Sequence, residues 1–91
     1  MLDYVTHLFR LKAIIEEGSL GRAARRLNVT QPALSRSVSQ LEKHFGQPIL
    51  IRHSRGVEPT PFGERVLSSA LGIERHWHLA EKLLQTDPAE G

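Results

Sequence analysis

The sequence predicts a mainly α-helical fold with a small β-hairpin, namely a winged helix-turn-helix followed by a long dimerisation helix. Apolar residues recur at helical spacing in several segments, and a three-residue connection joins a short helix to a longer one. A β-branched run and a glycine turn then precede the last helical segment. We assign residues 1–60 to the winged domain, 61–85 to the long helix and 86–91 to a flexible tail.

The first two predicted helices form one side of the core. Apolar residues recur at helical spacing between residues 4 and 17, and Gly18 is a plausible helix stop. Ser19 can cap a second helix over about residues 20–27, whose two central alanines allow close approach by another helix. Ser19 could also present that helix N-terminus to a phosphate, and the two roles are compatible.

The third predicted helix combines an apolar stripe with a polar outer face. Thr30 is the expected cap and Pro32 fits the first turn. The apolar residues, spaced four, three and four apart, are Leu34, Val38, Leu41 and Phe45. The opposite face and its flanks carry Gln31, Pro32, Ser35, Arg36, Ser39 and Lys43. The helix has one acid, Glu42, near the apolar stripe, so the outer face suits the groove of a nucleic acid duplex.

A two-stranded wing is predicted over residues 49–59. Residues 49–52 are short and β-branched, 53–56 are typical of a turn, and 57–59 return as an edge strand that tolerates Pro59. Arg55 beside a glycine is well placed to enter a minor groove, whose negative potential attracts guanidinium groups. The wing residues that we assign to DNA contact are Arg52, His53 and Arg55.

The last predicted helix, residues 61–85, carries an apolar seam close to heptad period. The seam consists of Val66, Ala70, Ile73, Trp77, Ala80 and Leu84. Such a helix would be roughly 37 Å long at about 1.5 Å per residue, which exceeds what so small a domain can cover. The seam could be ordinary core. Its position beyond the compact domain instead favours a homodimer in which a second copy covers Trp77.

Charge is concentrated in the middle of the chain. Residues 19–60 carry seven Lys/Arg and two Asp/Glu, whereas the segments on either side are net acidic. The positive charge therefore surrounds the third helix, where a polyanion should bind. Six side chains are individually ambiguous, since each could reach a backbone phosphate or remain solvated on the surface, and we expect about half of them to reach one. They are Arg22, Arg25, Arg26, Lys43, Arg52 and His53.

Several classes of function find no support in the sequence. There is no cysteine, and His76 and His78 are two residues apart on a helix, which is unsuited to a shared metal. No catalytic constellation is apparent, so we expect neither an enzyme nor a cofactor. No apolar run could span a membrane, which favours a cytoplasmic protein. The competing hypothesis is a winged helix whose basic face binds an acidic protein partner.

Four motifs resemble one known family. They are Gly-Ser-Leu-Gly-Arg-Ala-Ala at 18–24, Thr-Gln-Pro-Ala-Leu-Ser-Arg at 30–36, Leu-Glu at 41–42 and Thr-Pro-Phe-Gly at 60–63. With these motifs the sequence closely resembles the LysR-type bacterial transcriptional regulators over about residues 5–70. The resemblance implies sequence-specific binding of double-stranded DNA at an interrupted palindrome, by a dimer paired through its linker helix.

The resemblance also implies roles for individual residues. Gln31, Pro32, Ser35 and Arg36 match the contacts of the recognition helix in the major groove, and Arg55 matches the wing arginine in the minor groove. Pro59 departs from the apolar strand residue that is common in the family. Family members usually continue into a larger effector-binding domain, which we expect to be absent from this chain. A small-molecule effector would act only through that domain, and the intact protein could form a higher oligomer.

Overall fold

The structure is a computed structural model that describes residues 2–85, with side chains from Tyr4 onward. Its elements are the helices α1 (Leu2–Glu17), α2 (Leu20–Leu27) and α3 (Gln31–Phe45), the strands β1 (Leu50–His53) and β2 (Gly56–Pro59), and the helix α4 (Pro61–Gln85). This order confirms the predicted fold class, and α4 has the predicted bounds. Each wing strand extends one residue further into the turn than predicted. The predicted tail at 86–91 lies outside the described residues.

Side-chain caps and a left-handed residue define the turn between α2 and α3. Ser19 Oγ accepts from the backbone N–H of Arg22 at 3.2 Å, which caps α2 as predicted. Asn28 ends α2 with φ 57°, in the left-handed region that Asn tolerates. Thr30 Oγ1 then accepts from Ala33 N–H at 3.2 Å and begins α3. These local interactions fix where α3 starts relative to α2.

The core lies where α1 packs against the other three helices. The fully buried side chains include Leu11 and Ile14 of α1, Leu34 and Leu41 of α3, and Ile49. Burial of these residues confirms the apolar stripe of α3, except at its end. Phe45 was expected in the stripe but is 43% exposed, because it is the last residue of α3 and packs edge-on against Phe62 and His44.

The wing is joined to the helices at both of its ends. The Glu42 carboxylate accepts from the backbone N–H of Ile49 at 2.7 Å and of Leu50 at 3.4 Å. At the other end, Val57 N–H donates to the carbonyl of Gly18 at 3.0 Å. A Cβ on Gly56 would lie 2.1 Å from that carbonyl oxygen, so the close approach requires glycine. The hairpin is therefore held against the junction of α1 and α2.

Helix α4 packs on the domain along its first turns and then leaves it. Val66 and Ala70, which the sequence analysis placed in the dimer seam, are buried within the monomer. They form the first part of the apolar seam of α4, in the part of the helix that packs against α1 and the wing. The Lys12 ammonium contacts the Glu74 carboxylate at 2.6 Å and lowers the pKa of that carboxyl group. No helix within residues 2–85 has an apolar run of the length that a membrane span requires.

Candidate nucleic-acid interface

The outer face of α3 is open to solvent. Gln31, Pro32, Arg36, Ser39 and Lys43 are exposed, and Ser35 is half-buried on the flank. No acidic side chain lies on this face, because the one acid of α3, Glu42, is hydrogen-bonded to the start of β1. The face thus offers an amide, two hydroxyls, a guanidinium and an ammonium with no carboxylate to neutralise them.

The tip of the wing is ordered by His53. Its Nδ1 accepts from the backbone N–H of Arg55 at 3.2 Å, and its Nε2 lies 3.1 Å from a Glu58 carboxylate oxygen. Because Nδ1 acts as an acceptor, a neutral ring carries its proton on Nε2, the nitrogen that faces Glu58. The predicted DNA residue His53 therefore has both ring nitrogens engaged, while the side chains of Arg52 and Arg55 are exposed.

Two of the three arginines of α2 are paired with the end of α1. Arg26 contacts the carboxylates of Glu16 at 2.9 Å and Glu17 at 3.3 Å, and these contacts raise its pKa above the ordinary value. Arg22 donates to the Glu17 backbone carbonyl and lies 3.9 Å from its carboxylate. Arg25 is exposed. The basic charge of this helix is thus largely balanced locally, which sequence spacing did not reveal.

The first turn of α2 lies between the wing and the start of α3. Gly18 and Ser19 precede this turn, and the Gly18 carbonyl accepts from Val57 of β2. A Cβ on Gly21, in the same turn, would lie 3.4 Å from Gln31 Nε2 of α3. These contacts bring Ser19, the turn end of β2 and the first residue of α3 to one region of the domain.

Two residues of α1 contact α3 beside the outer face, and the sequence analysis did not single them out. Ser37 is only 1% exposed, and its Oγ is 2.8 Å from His7 Nδ1 and accepts from Arg10 at 3.0 Å. The partners are about thirty positions apart in sequence, so no local pattern pairs them. The one signal in the sequence for the burial of Ser37 is its place directly before Val38 of the apolar stripe.

The described residues contain no group of three or more His, Cys, Asp or Glu side chains that could hold a metal ion. His78 lies 3.7 Å from Glu81 in the next turn of α4, and both His76 and His78 are exposed. The groups brought together on α3 and the wing are instead hydrogen-bond donors and cations, which recognise anions and base edges.

The arrangement of α2, turn, α3 and hairpin defines the chain as a winged helix-turn-helix domain. Residues 5–64 match the profile described as "Bacterial regulatory helix-turn-helix protein, lysR family", and the chain belongs to that family.

Curated relatives include transcriptional regulators. The small neutral protease regulatory protein of Streptomyces coelicolor is 48% identical over 66 residues, which cover 72% of this chain and 20% of that protein. The HTH-type transcriptional regulator TdcA of Escherichia coli is 37% identical over 75 residues, which cover 82% of this chain and 24% of the regulator. The chain thus matches about a fifth of the length of such relatives.

Solved structures share the fold. The BenM DNA-binding domain in complex with catB site 1 DNA superposes with a TM-score of 0.83 at 32% identity, covering 89% of this chain and 90% of that one. The CbnR DNA-binding domain in its DNA complex gives a TM-score of 0.82 at 31% identity, covering 89% and 93%. A second CbnR structure, described as that of a LysR family transcriptional regulator, gives a TM-score of 0.82 at 31% identity, covering 89% of this chain and 28% of that one.

Proposed function

We propose that this chain is the sequence-specific DNA-binding domain of a LysR-type transcriptional regulator. The observation that carries the proposal is the outer face of α3, which is exposed, rich in donors and free of acids among the described side chains. In this proposal the face lies in the major groove of double-stranded DNA. The structural likeness to two domains solved with DNA supports the same partner.

The recognition helix combines one base-reading arginine with several supporting contacts. Arg36 is assigned to a base edge, since a guanidinium can bond guanine O6 and N7 together. Gln31, Pro32 and Ser35 lie nearer the start of α3 and contact a neighbouring base edge or phosphate. Ser39 and Lys43 follow the same face toward the end of the helix and are assigned to the backbone.

The wing and α2 contact the flanks of the site. Arg55 is assigned to the minor groove, where a narrow groove attracts a guanidinium. Arg52 and His53 are assigned to nearby phosphates, with His53 acting mainly by shaping the turn around Arg55. Ser19 and Arg22, at the start of α2, offer a helix N-terminus and a cation to a phosphate. Arg22 must then exchange part of its contact with Glu17.

Dimerisation through α4 is the second part of the proposal. Trp77 is 55% exposed, Ile73 40% and Leu84 68%, and Ala80 lies on the same face. Trp77 and Ile73 also line a groove with Val5 and Phe9 of α1, so the apolar surface is continuous with the domain. A second copy would cover it. Two copies would then place their recognition helices on successive turns of the major groove of an interrupted palindrome.

Selection of bound sequences from a random duplex pool tests the proposal. We expect enrichment of two inverted half-sites whose centres are separated by about 10 base pairs or a multiple of that. Binding should weaken steeply as salt rises, because phosphate contacts release counterions. If no sequence is enriched and the chain binds an acidic protein instead, the alternative of a protein-interaction module is correct.

A further inference from the structure

A cleft lies between α1 and α3, next to the outer face of the recognition helix. It has a volume of about 460 Å³ and is lined by His7 and Arg10 of α1 and by Arg36, Ser37 and Gln40 of α3, among others. Arg36 belongs both to the cleft and to the exposed outer face of α3. The cleft therefore opens toward the side of the molecule that is proposed to meet DNA.

Arg10 is held in this cleft by a buried hydroxyl. Its guanidinium donates to Ser37 Oγ at 3.0 Å, and Ser37 is 1% exposed. The same Ser37 Oγ is hydrogen-bonded to Nδ1 of His7, 2.8 Å away. This chain of hydrogen bonds fixes the position of Arg10 but uses only one of its five N–H groups.

The charge of Arg10 is not neutralised by any side chain that the structure describes. Arg22 and Arg26, by contrast, contact Glu17, and Arg26 also contacts Glu16. The described side chains that line the Arg10 cleft include two guanidinium groups, an imidazole and an amide, and no carboxylate. A fixed guanidinium with free donors, and with no counterion among the side chains that the structure describes, is suited to an anion, and phosphate matches its planar fork.

We propose that the cleft binds one phosphodiester of the DNA backbone, with Arg10 as the principal contact and Gln40 at its rim. This inference rests on the proposed function. When the outer face of α3 lies in the major groove, its flanks face the sugar-phosphate walls, and the cleft occupies the flank toward α1. Arg10 would then anchor α3 against one strand and set how Arg36 approaches the bases.

The test compares how duplex affinity depends on salt in wild type and Arg10→Gln. Each phosphate contact contributes about 0.9 to the slope of log K against log salt. We expect Arg10→Gln to make the slope shallower by about 0.9 per protomer, by the same amount on a selected duplex and on a random one. Arg10→Lys should restore most of the slope. Arg75→Gln removes the same charge from an exposed position on α4 and should leave the slope nearly unchanged.

A second pair of variants serves as the control for loss of folding. In Arg10→Gln, Ser37 keeps His7 as a partner, so the domain should remain folded. If Arg10→Gln nevertheless melts below the assay temperature, Ser37→Ala is compared with the double variant Arg10→Gln, Ser37→Ala. Both variants lack the buried hydroxyl and differ only in the cation. The slope of log K against log salt should again be shallower by about 0.9 per protomer in the double variant.

The outcomes separate this inference from the function on which it rests. A wild-type protein that fails to bind duplex in a salt-dependent way would refute DNA binding itself. Tight wild-type binding with an unchanged slope in Arg10→Gln, or in the double variant, would overturn the cleft alone. The cleft assignment also fails if inorganic phosphate binds the free protein through Arg10 while the duplex slope is unaffected, because the site would then serve a free anion.

Discussion

Glu42 shows how a single side chain on α3 sets the geometry of the wing. Its carboxylate accepts from the N–H groups of Ile49 and Leu50, and Ile49 is fully buried. The sequence placed Glu42 near the apolar stripe but gave no sign of its partner, because the bonds form across the turn at Gly46. The one carboxylate of α3 is thus engaged with the start of the wing and does not lie on the outer face.

Replacing Glu42 tests this role. Glu42→Ala should lower the free energy of unfolding by about 1–3 kcal/mol, because it leaves the buried N–H of Ile49 without an acceptor. Glu42→Gln keeps an acceptor oxygen and should lower the free energy of unfolding clearly less than Glu42→Ala does. Urea denaturation of both variants measures the difference. Equal losses would mean that the charge, and not the hydrogen bond, carries the contribution.

Residues whose partners lie far away in the sequence are the hardest to place from the sequence alone. Thr30 and Asn28 act within a few positions of themselves, so their structures could be predicted from residue type. Ser37 is buried and hydrogen-bonded to His7 and Arg10 of α1, but its residue type does not predict which distant residues are its partners. Phe45 had the correct spacing for the core, but the helix ends there, and its contacts with Phe62 and His44 leave it 43% exposed, whereas Leu41 is fully buried.

At the scale of elements, α4 has one glycine that the fold requires and one that it does not. A Cβ on Gly63 would lie 2.1 Å from the carbonyl oxygen of Ile49, so the first turns of α4 approach the start of the wing closely. A Cβ on Gly72, further along the same helix, would meet nothing within 4 Å. Replacing Gly63 therefore tests close packing, whereas replacing Gly72 tests only the helix propensity of the residue.

Alanine at these two positions should change stability in opposite directions. Gly72→Ala should raise the free energy of unfolding by roughly 0.5–1 kcal/mol, the usual gain in a helix interior. Gly63→Ala should lower it by about 1–3 kcal/mol, since the wing or the helix must shift to admit the methyl group. Thermal denaturation by circular dichroism gives both values. A stabilising Gly63→Ala would show that α4 does not approach Ile49 so closely.

The helix boundaries followed from periodicity and caps, whereas the division of the α4 seam did not. The heptad pattern is continuous from Val66 to Leu84. Its first two members are buried in the monomer, whereas Ile73, Trp77 and Leu84 are exposed and Ala80 is half-buried. Periodicity identifies which side of a helix is apolar. It does not say whether the same chain or a second copy covers that side, because this depends on how far the other helices extend.

For the whole molecule, the exposed end of α4 is the main feature that a monomer leaves unexplained. The molecule measures 57 × 27 × 20 Å, much longer in one direction than a compact domain of this size. Trp77 and Leu79 are similarly exposed, at 55% and 58%, but residues two apart point to nearly opposite sides of a helix. They can therefore be compared as interface and control.

Aspartate at each position tests the proposed dimer. Trp77→Asp should raise the dimer dissociation constant at least tenfold, equivalent to about 1.4 kcal/mol, because it places a charge in the apolar interface. Leu79→Asp makes a comparable change outside the proposed seam and should leave the dimer intact. Sedimentation velocity over a range of concentrations measures both. If only Leu79→Asp dissociates the dimer, the interface lies on the other side of α4.

The central claim is that the outer face of α3 reads DNA sequence through Arg36, and one comparison tests it most directly. Wild type and Arg36→Ala are titrated with the duplex selected from the random pool and with a random duplex, at the same salt concentration. Loss of Arg36 should reduce the preference for the selected duplex by about 1–3 kcal/mol per half-site, with a smaller effect on random duplex. Equal losses of affinity on both duplexes would contradict the claim.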